Sequence, residues 1–301
     1  MNKIRKKILN IEQKIQLNTS RDVRKKSIQL EDIKKNLMNY TVNINDTFDN
    51  IFILTIKRSN RIKKMENRLK ASNITNYEIF YGFDTMASNL PYVKKIKSSS
   101  KHEIINYIKL FNEHLEKKGI IKITNNNYFK PGQIGTSISF YNILKKSIEE
   151  NYDKILIFED DVYFKNFNEM FSNFYKSVPK DYDLIYLDIN HLSFKKGGWE
   201  KVKLNKHTCV LKQNYKKIKD NFVGIGGTYA FVLNKKLIKI LYDNFFPIKY
   251  PFDIYLYHIT KANKYNVYIP CNKFVYVNIA VSYTITDKYE PKVFNKKTKL
   301  I

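Results

Sequence analysis

Blocks of unbroken apolar residues alternate with amphipathic stretches along most of this chain. Residues 50–56 form the first apolar run and predict a buried strand. Ile62, Met65 and Leu69 then recur at helical spacing, which predicts a helix over 60–71 with Ser59 as its N-cap. A strand over 77–83 follows, then a helix over 101–116 with Ile104, Ile105, Ile108, Phe111 and Leu115 inward. After the Pro131-Gly132 turn the pattern gives a helix over 133–150 and a strand over 154–158. Beyond that strand it predicts a helix over 168–176 and short strands over 184–188 and 208–211, with a loop over 190–206 between them. A strand over 228–233, a helix over 234–242, a helix opening at Pro251, and strands over 265–270 and 274–277 complete the series. Strands alternating with helices make an α/β sandwich with a mainly parallel central sheet flanked by helices.

The first 45 residues differ. Ile4, Ile8, Ile11, Ile15 and Leu17, then Val23, Ile28, Leu30 and Ile33, recur at roughly helical spacing among many lysines. This predicts a basic helical extension over 1–45, packed on the main domain, joining two copies as a homodimer, or adhering to an anionic surface. Residues 46–286 form the main domain, and 287–301 a Lys-rich tail. No segment has the apolar core of a signal peptide or the length of a membrane span, so the chain reads as cytoplasmic.

Composition changes this picture only in part. The chain has 301 residues, 43% of them hydrophobic, and carries a formal net charge of +26. Such a balance fits nucleic acid or phosphorylated ligands. The lysines are scattered through every segment rather than gathered in a recognition helix, which argues against nucleic acid as partner. The two cysteines, Cys209 and Cys271, form no metal or redox motif and do not suggest a disulfide framework.

The strongest chemical signal is where the strand over 154–158 stops. Three consecutive acids, Glu159, Asp160 and Asp161, follow four apolar residues. Open α/β sheets bind ligands outside the carboxyl ends of their strands. Clustered carboxylates repel unless a cation or basic partner neutralises them, and their oxygens suit Mg²⁺ and Mn²⁺. The competing reading is a solvated loop. Lys57, Arg58 and Arg61 lie beside a predicted helix start, where phosphate is attracted. Residues 132–139 open a helix with small residues, Gly135 among them, that let backbone or ligand approach. Residues 224–229 hold the glycine cluster before an apolar strand. Asp253 at a predicted helix start, and Asp188 at the end of a short strand, are candidate bases. His191, His207 and His258 are candidate metal ligands only in company.

In this order, residues 51–61, 81–84, 132–139, 155–161, 227–233 and 247–253 resemble glycosyltransferase family 25, which includes lipooligosaccharide and procollagen galactosyltransferases. The resemblance covers about residues 48–285. It implies a GT-A type fold and a divalent metal, Mn²⁺ or Mg²⁺. It also implies transfer of a hexose, galactose or glucose, from a UDP-sugar to a glycan or protein acceptor, with inversion. Its metal motif falls on Glu159, Asp160 and Asp161, and its nucleotide contacts on Thr55, Lys57, Arg58 and Arg61, with Asp84 near the base or ribose. Asp253 matches the acid of its late Pro-rich motif. Phe140 stands where the family usually has histidine, Asp188 and Thr85 where it has glycine, and Gly82 where it often has alanine. The alternatives are a basic nucleic-acid-binding protein or metal-dependent nuclease, and an inactive UDP-binding scaffold.

Overall fold

A computed structural model describes residues 41–85, 87, 101–124, 128–189, 199–213, 227–260 and 265–277. The chain divides into two compact units, Met1–Val42 and Asn43–Ile301. The expected helices of the first 45 residues, the tail beyond 286 and His191 lie outside the described residues.

The second unit is a mixed α/β fold. Its strands are β1 (Asn50–Thr55), β2 (Glu78–Tyr81), β3 (Lys154–Glu159), β4 (Val162–Phe164), β5 (Leu184–Asp188), β6 (Trp199–Lys203), β7 (Thr208–Gln213), β8 (Ala230–Asn234), β9 (Val267–Pro270) and β10 (Val275–Val277). Its helices are α1 (Ile62–Ala71), α2 (Lys101–Lys117), α3 (Pro131–Glu149), α4 (Phe167–Ser177), α5 (Lys235–Asp243) and α6 (Phe252–Thr260). Eight strands form one sheet in the order β2-β1-β3-β8-β5-β9-β7-β6, and β10 pairs with β4 in a small second sheet.

The sheet is mixed: six of its eight strands run one way, in keeping with the expected mainly parallel arrangement, and two run against them. β1 runs parallel to β2 and β3, and β5 parallel to β9, but β8 enters antiparallel between β3 and β5. β7 is antiparallel to both β6 and β9. A doubly covered strand is apolar whichever way it runs, so the sequence carries no direction signal. The expected loop over 190–206 also contains β6. Its pattern, with Lys201 and Lys203 flanking Val202, belongs to an exposed edge strand, which is hard to tell from a polar loop.

Alternation along β3 divides the core. Ile155 and Ile157 join the large cluster that holds Phe140, Ile143, Phe231, Leu237, Leu241 and Phe252. Phe158, one residue out of phase, meets Phe164 and Phe167 at centroid distances of 5.2 and 6.2 Å, and Phe167 meets Phe274 at 5.6 Å. Both faces are therefore covered, and each fully buried large side chain contributes about 1.5–3 kcal/mol. The strand and its following acids are fixed from two sides. Asn234 caps α5, its side-chain oxygen accepting from the Leu237 N–H at 2.8 Å.

Cys209 and Cys271 form a disulfide, against the expectation of unlinked cysteines. They are 62 residues apart in sequence. Only the pairing of β7 with β9, which sets Cys209 opposite Ile269, brings them together. A crosslink of this separation restricts the unfolded chain and is commonly worth about 2–4 kcal/mol. Changing both cysteines to serine should therefore lower the denaturant midpoint by the equivalent of about 2–4 kcal/mol. Reductant should do the same to the parent and leave the double variant unmoved.

Candidate active site

Since β1, β3 and β5 run the same way, Thr55, Glu159 and Asp188 reach one edge of the sheet. The antiparallel β8 begins at that edge, so Gly227 and Thr228 arrive there too. Asp160 and Asp161 form the tight turn between β3 and β4, a place aspartate tolerates well.

The turn is buried and knitted to the end of β1. One Asp160 oxygen accepts from the Thr55 hydroxyl at 2.5 Å and the Ser59 hydroxyl at 2.8 Å. Its other oxygen takes Nη2 of Arg61 at 2.6 Å, and Nη1 of the same guanidinium reaches Asp161 Oδ2 at 3.1 Å. Asp161 Oδ1 is buried and has no hydrogen-bond partner. Ser59 was the expected N-cap of α1, but the N-cap position is Arg61. The Ser59 oxygen instead accepts from the Arg61 N–H at 3.2 Å while its proton goes to Asp160. The hydroxyl thus ties the helix start to the acidic turn.

Burial pushes the Asp161 carboxyl up; Arg61 opposes this and Asp160 adds to it. Glu159 is raised well above the ordinary value, first by burial and then by Asp161 and Asp160. Glu159 and Asp253 are both partly exposed. Asp253 opens α6. Its Oδ2 accepts from the Gly227 N–H at 3.2 Å and its Oδ1 from the Ile254 N–H at 2.8 Å. Burial raises its carboxyl while these N–H groups lower it. Its charge acts on Glu159, which in turn accepts a long 3.5 Å bond from Thr228. Gly227 has φ +90°, and an added Cβ would collide with the Tyr229 ring, so this approach to Asp253 requires glycine.

The remaining expected residues fall into three places. Arg58 Nε pairs with Asp84 Oδ2 at 2.7 Å. Lys57 points outward and is exposed. Gly135 admits protein backbone: a Cβ there would lie 2.7 Å from the Phe83 carbonyl oxygen. Ser139 completes that contact, accepting from the Phe83 N–H at 2.8 Å and donating to the Gly135 carbonyl at 2.7 Å. The small residues of 132–139 therefore seat α3 against the loop that presents Asp84. Phe140, at the position of the family's histidine, is fully buried and stacks on Phe252 at 4.1 Å within the core.

Asp188 lies in a separate basic cluster. Lys273 Nζ binds its Oδ1 at 2.9 Å. Burial raises the Asp188 carboxyl, while Lys273 and, more weakly, Lys201 lower it. An ion-paired carboxylate is a poorer proton acceptor than Asp253, whose partners are backbone amides. His258 stacks on Tyr250 at 4.2 Å, and the His207 N–H donates to Asn205. Among the described residues no group of three or more His, Cys, Asp or Glu has the geometry to hold a metal ion. Among the described residues two buried carboxylate oxygens have no hydrogen-bond partner, Asp161 Oδ1 in the acidic turn and Asp188 Oδ2 beside Lys273. Asp160 is already saturated by Thr55, Ser59 and Arg61. Ser59 and Lys273 were not expected here, and no local pattern in the sequence marks either.

A sequence model of glycosyltransferase family 25 (LPS biosynthesis protein) matches residues 48–256, more than half of the chain. No curated protein matches the sequence. Among solved structures, A197 from STIV is similar at 14% identity, over 76% of this chain and 84% of that chain, with a TM-score of 0.27. HddC from Yersinia pseudotuberculosis, complexed with GMP-PN, is similar at 11% identity, over 80% of this chain and 96% of that chain, with a TM-score of 0.33. No helix among the described residues is long and apolar enough to cross a membrane.

Proposed function

The chain belongs to glycosyltransferase family 25, and from that premise we propose that it moves a hexose, galactose or glucose, from a UDP-sugar to a hydroxyl of a glycan or protein acceptor. It is a transferase enzyme; the donor, the metal, the inverting course and a GT-A type fold are this reading's own additions. The observation that carries it is the buried acidic turn at the carboxyl edge of the sheet, held by Arg61 and retaining an unsatisfied oxygen on Asp161.

Asp161 would hold Mn²⁺ or Mg²⁺ through Oδ1, with Glu159 assisting. A divalent cation there supplies charge that steadies a departing diphosphate. Asp160 keeps Thr55, Ser59 and Arg61 in place rather than binding metal. The Arg58–Asp84 pair would orient the base or ribose, and the exposed Lys57 would add positive charge. Asp253 takes the proton of the acceptor hydroxyl as that oxygen bonds to the anomeric carbon. The bond from that carbon to the phosphate oxygen breaks on the opposite face, and its electron pair leaves with UDP.

Two measurements test this. UDP with Mn²⁺ should raise the melting temperature, by the equivalent of about 2.7 kcal/mol at a hundredfold excess over Kd. Incubation with a panel of UDP-sugars and Mn²⁺ should release UDP slowly from one of them. No stabilisation by UDP and no turnover of any UDP-sugar would overturn the proposal. Tight, steeply salt-dependent DNA binding in its place would favour the nucleic-acid alternative.

A further inference from the structure

We propose that Lys201, Lys273 and Trp199 form the subsite that holds the acceptor, and that this acceptor is an anionic sugar, one carrying a carboxylate or a phosphate beside its hydroxyls. Its use as an acceptor rests on the transferase reading above; the binding of an anionic sugar does not.

Charged side chains from three distant segments meet here. Asp188 ends β5, Lys201 stands midway along β6, and Lys273 lies between β9 and β10. Lys273 Nζ holds Asp188 Oδ1 at 2.9 Å, and Lys201 Nζ donates to the Pro270 carbonyl at 3.0 Å, at the end of β9. The charges of Asp188 and Lys273 both act on Lys201. Asp188 is buried, at 4% exposure, whereas both lysines reach solvent. Two positive charges therefore meet one negative charge, and the surplus lies on the exposed side. An ion pair built only to hold the sheet needs one lysine. A second ammonium beside the first is repelled by it unless an anion joins them. Each ammonium has three protons, and the two bonds above use one apiece, which leaves donors for that anion.

Nearby polar atoms lack partners in a way that suits a sugar. Asp188 Oδ2, Trp199 Nε1 and the Tyr186 hydroxyl are all buried without a hydrogen bond. Trp199 shares a face of β6 with Lys201, two residues along. Tyr186 precedes Asp188 by two residues on β5, and the charge of Asp253 acts on its hydroxyl. Native proteins pair nearly all their buried polar atoms, so orphans gathered in one place point to a ligand. Sugar hydroxyls both donate and accept, and so match an acceptor oxygen and an indole N–H alike.

The cluster is also placed for transfer. The Trp199 ring meets Tyr257 edge-on, with centroids 5.6 Å apart. Tyr257 follows Asp253 by four residues, on the same face of α6 and about 6 Å further along its axis. The half-buried indole therefore offers apolar surface to a sugar ring one helical turn from the proposed base.

Saturation-transfer NMR on the full chain, without donor, tests the site with methyl glucoside, methyl glucuronide and glucose 6-phosphate. At least one anionic probe should bind roughly tenfold more tightly than methyl glucoside, the gain of one hydrogen bond to a charged group. Which of the two binds better tells carboxylate from phosphate. Lys201→Gln removes an exposed charge and should abolish the preference. Lys212→Gln removes an equal charge from the opposite face of the neighbouring strand and should keep it. Trp199→Phe should weaken all three probes. Equal binding of neutral and anionic probes, an equal loss in Lys212→Gln, or unchanged binding in Trp199→Phe overturns the subsite. In the donor-hydrolysis assay above, the preferred probe should speed UDP release. A probe that binds through Lys201 yet leaves a measurable release rate unchanged is not the acceptor. No response to UDP or to any UDP-sugar overturns the donor reading, while the NMR comparison still decides the anionic-sugar site.

Discussion

Replacing Asp161 with asparagine should cut sugar transfer by two to three orders of magnitude, about 2.7–4 kcal/mol of transition-state stabilisation, while leaving the free protein at least as stable as the parent. The amide keeps the shape and can still accept from Arg61, but it loses the charge that a metal needs. The stability claim follows from the direction of the shift. The folded Asp161 carboxyl is raised above its ordinary value of 3.8, chiefly by burial. Its favourable contribution is complete below the unfolded value and is lost as pH rises through the folded value. At neutral pH the parent therefore carries the cost of an ionised, under-neutralised group, which asparagine does not have. Donor hydrolysis and a thermal melt at neutral pH measure the two halves. Transfer at the parental rate would remove Asp161 from the mechanism. A large fall in melting temperature would make its role structural.

Asp253→Asn should lower kcat by about 10²–10⁴, the usual contribution of a positioned general base, with UDP affinity unchanged. The amide can still accept from the Gly227 and Ile254 N–H groups, so the local backbone survives. The pH profile distinguishes base from scaffold. Burial raises the Asp253 carboxyl, so parental activity should fall on acidification through a value above the ordinary 3.8. The variant's residual rate should lose the Asp253 part of that limb and keep any part that the raised Glu159 and Asp161 carboxyls contribute. The matching Asp188→Asn change would alter an ion pair with Lys273 instead. It should leave the acidic limb in place. An unchanged limb in Asp253→Asn would pass the role of base to another group.

Physical reasons separate what could be read along the chain from what could not. The strands and helices that bracket the acids were legible because burial on both faces leaves a long apolar run, as at 155–158, and one-sided burial leaves helical spacing, as at Met65 and Leu69. The ends of elements shifted by at most two residues. Ser59 shows why: its hydroxyl is spent on Asp160, about a hundred positions away, rather than on the helix beside it.

By itself, then, the sequence determined the α/β alternation, the position of the acidic turn at a strand end, and the ordered motifs of glycosyltransferase family 25. These depend on local periodicity and on residue types that one strand or helix either tolerates or refuses. Only the tertiary structure decided strand direction, since an apolar run is the same in either sense. It alone decided that Arg61 rather than a lysine holds the turn, that Asp253 faces Glu159 while Asp188 goes to Lys273, and that Cys209 meets Cys271. Each of these joins residues far apart in the chain, and which distant groups meet is set by the order of strands in the sheet, a property no single segment contains.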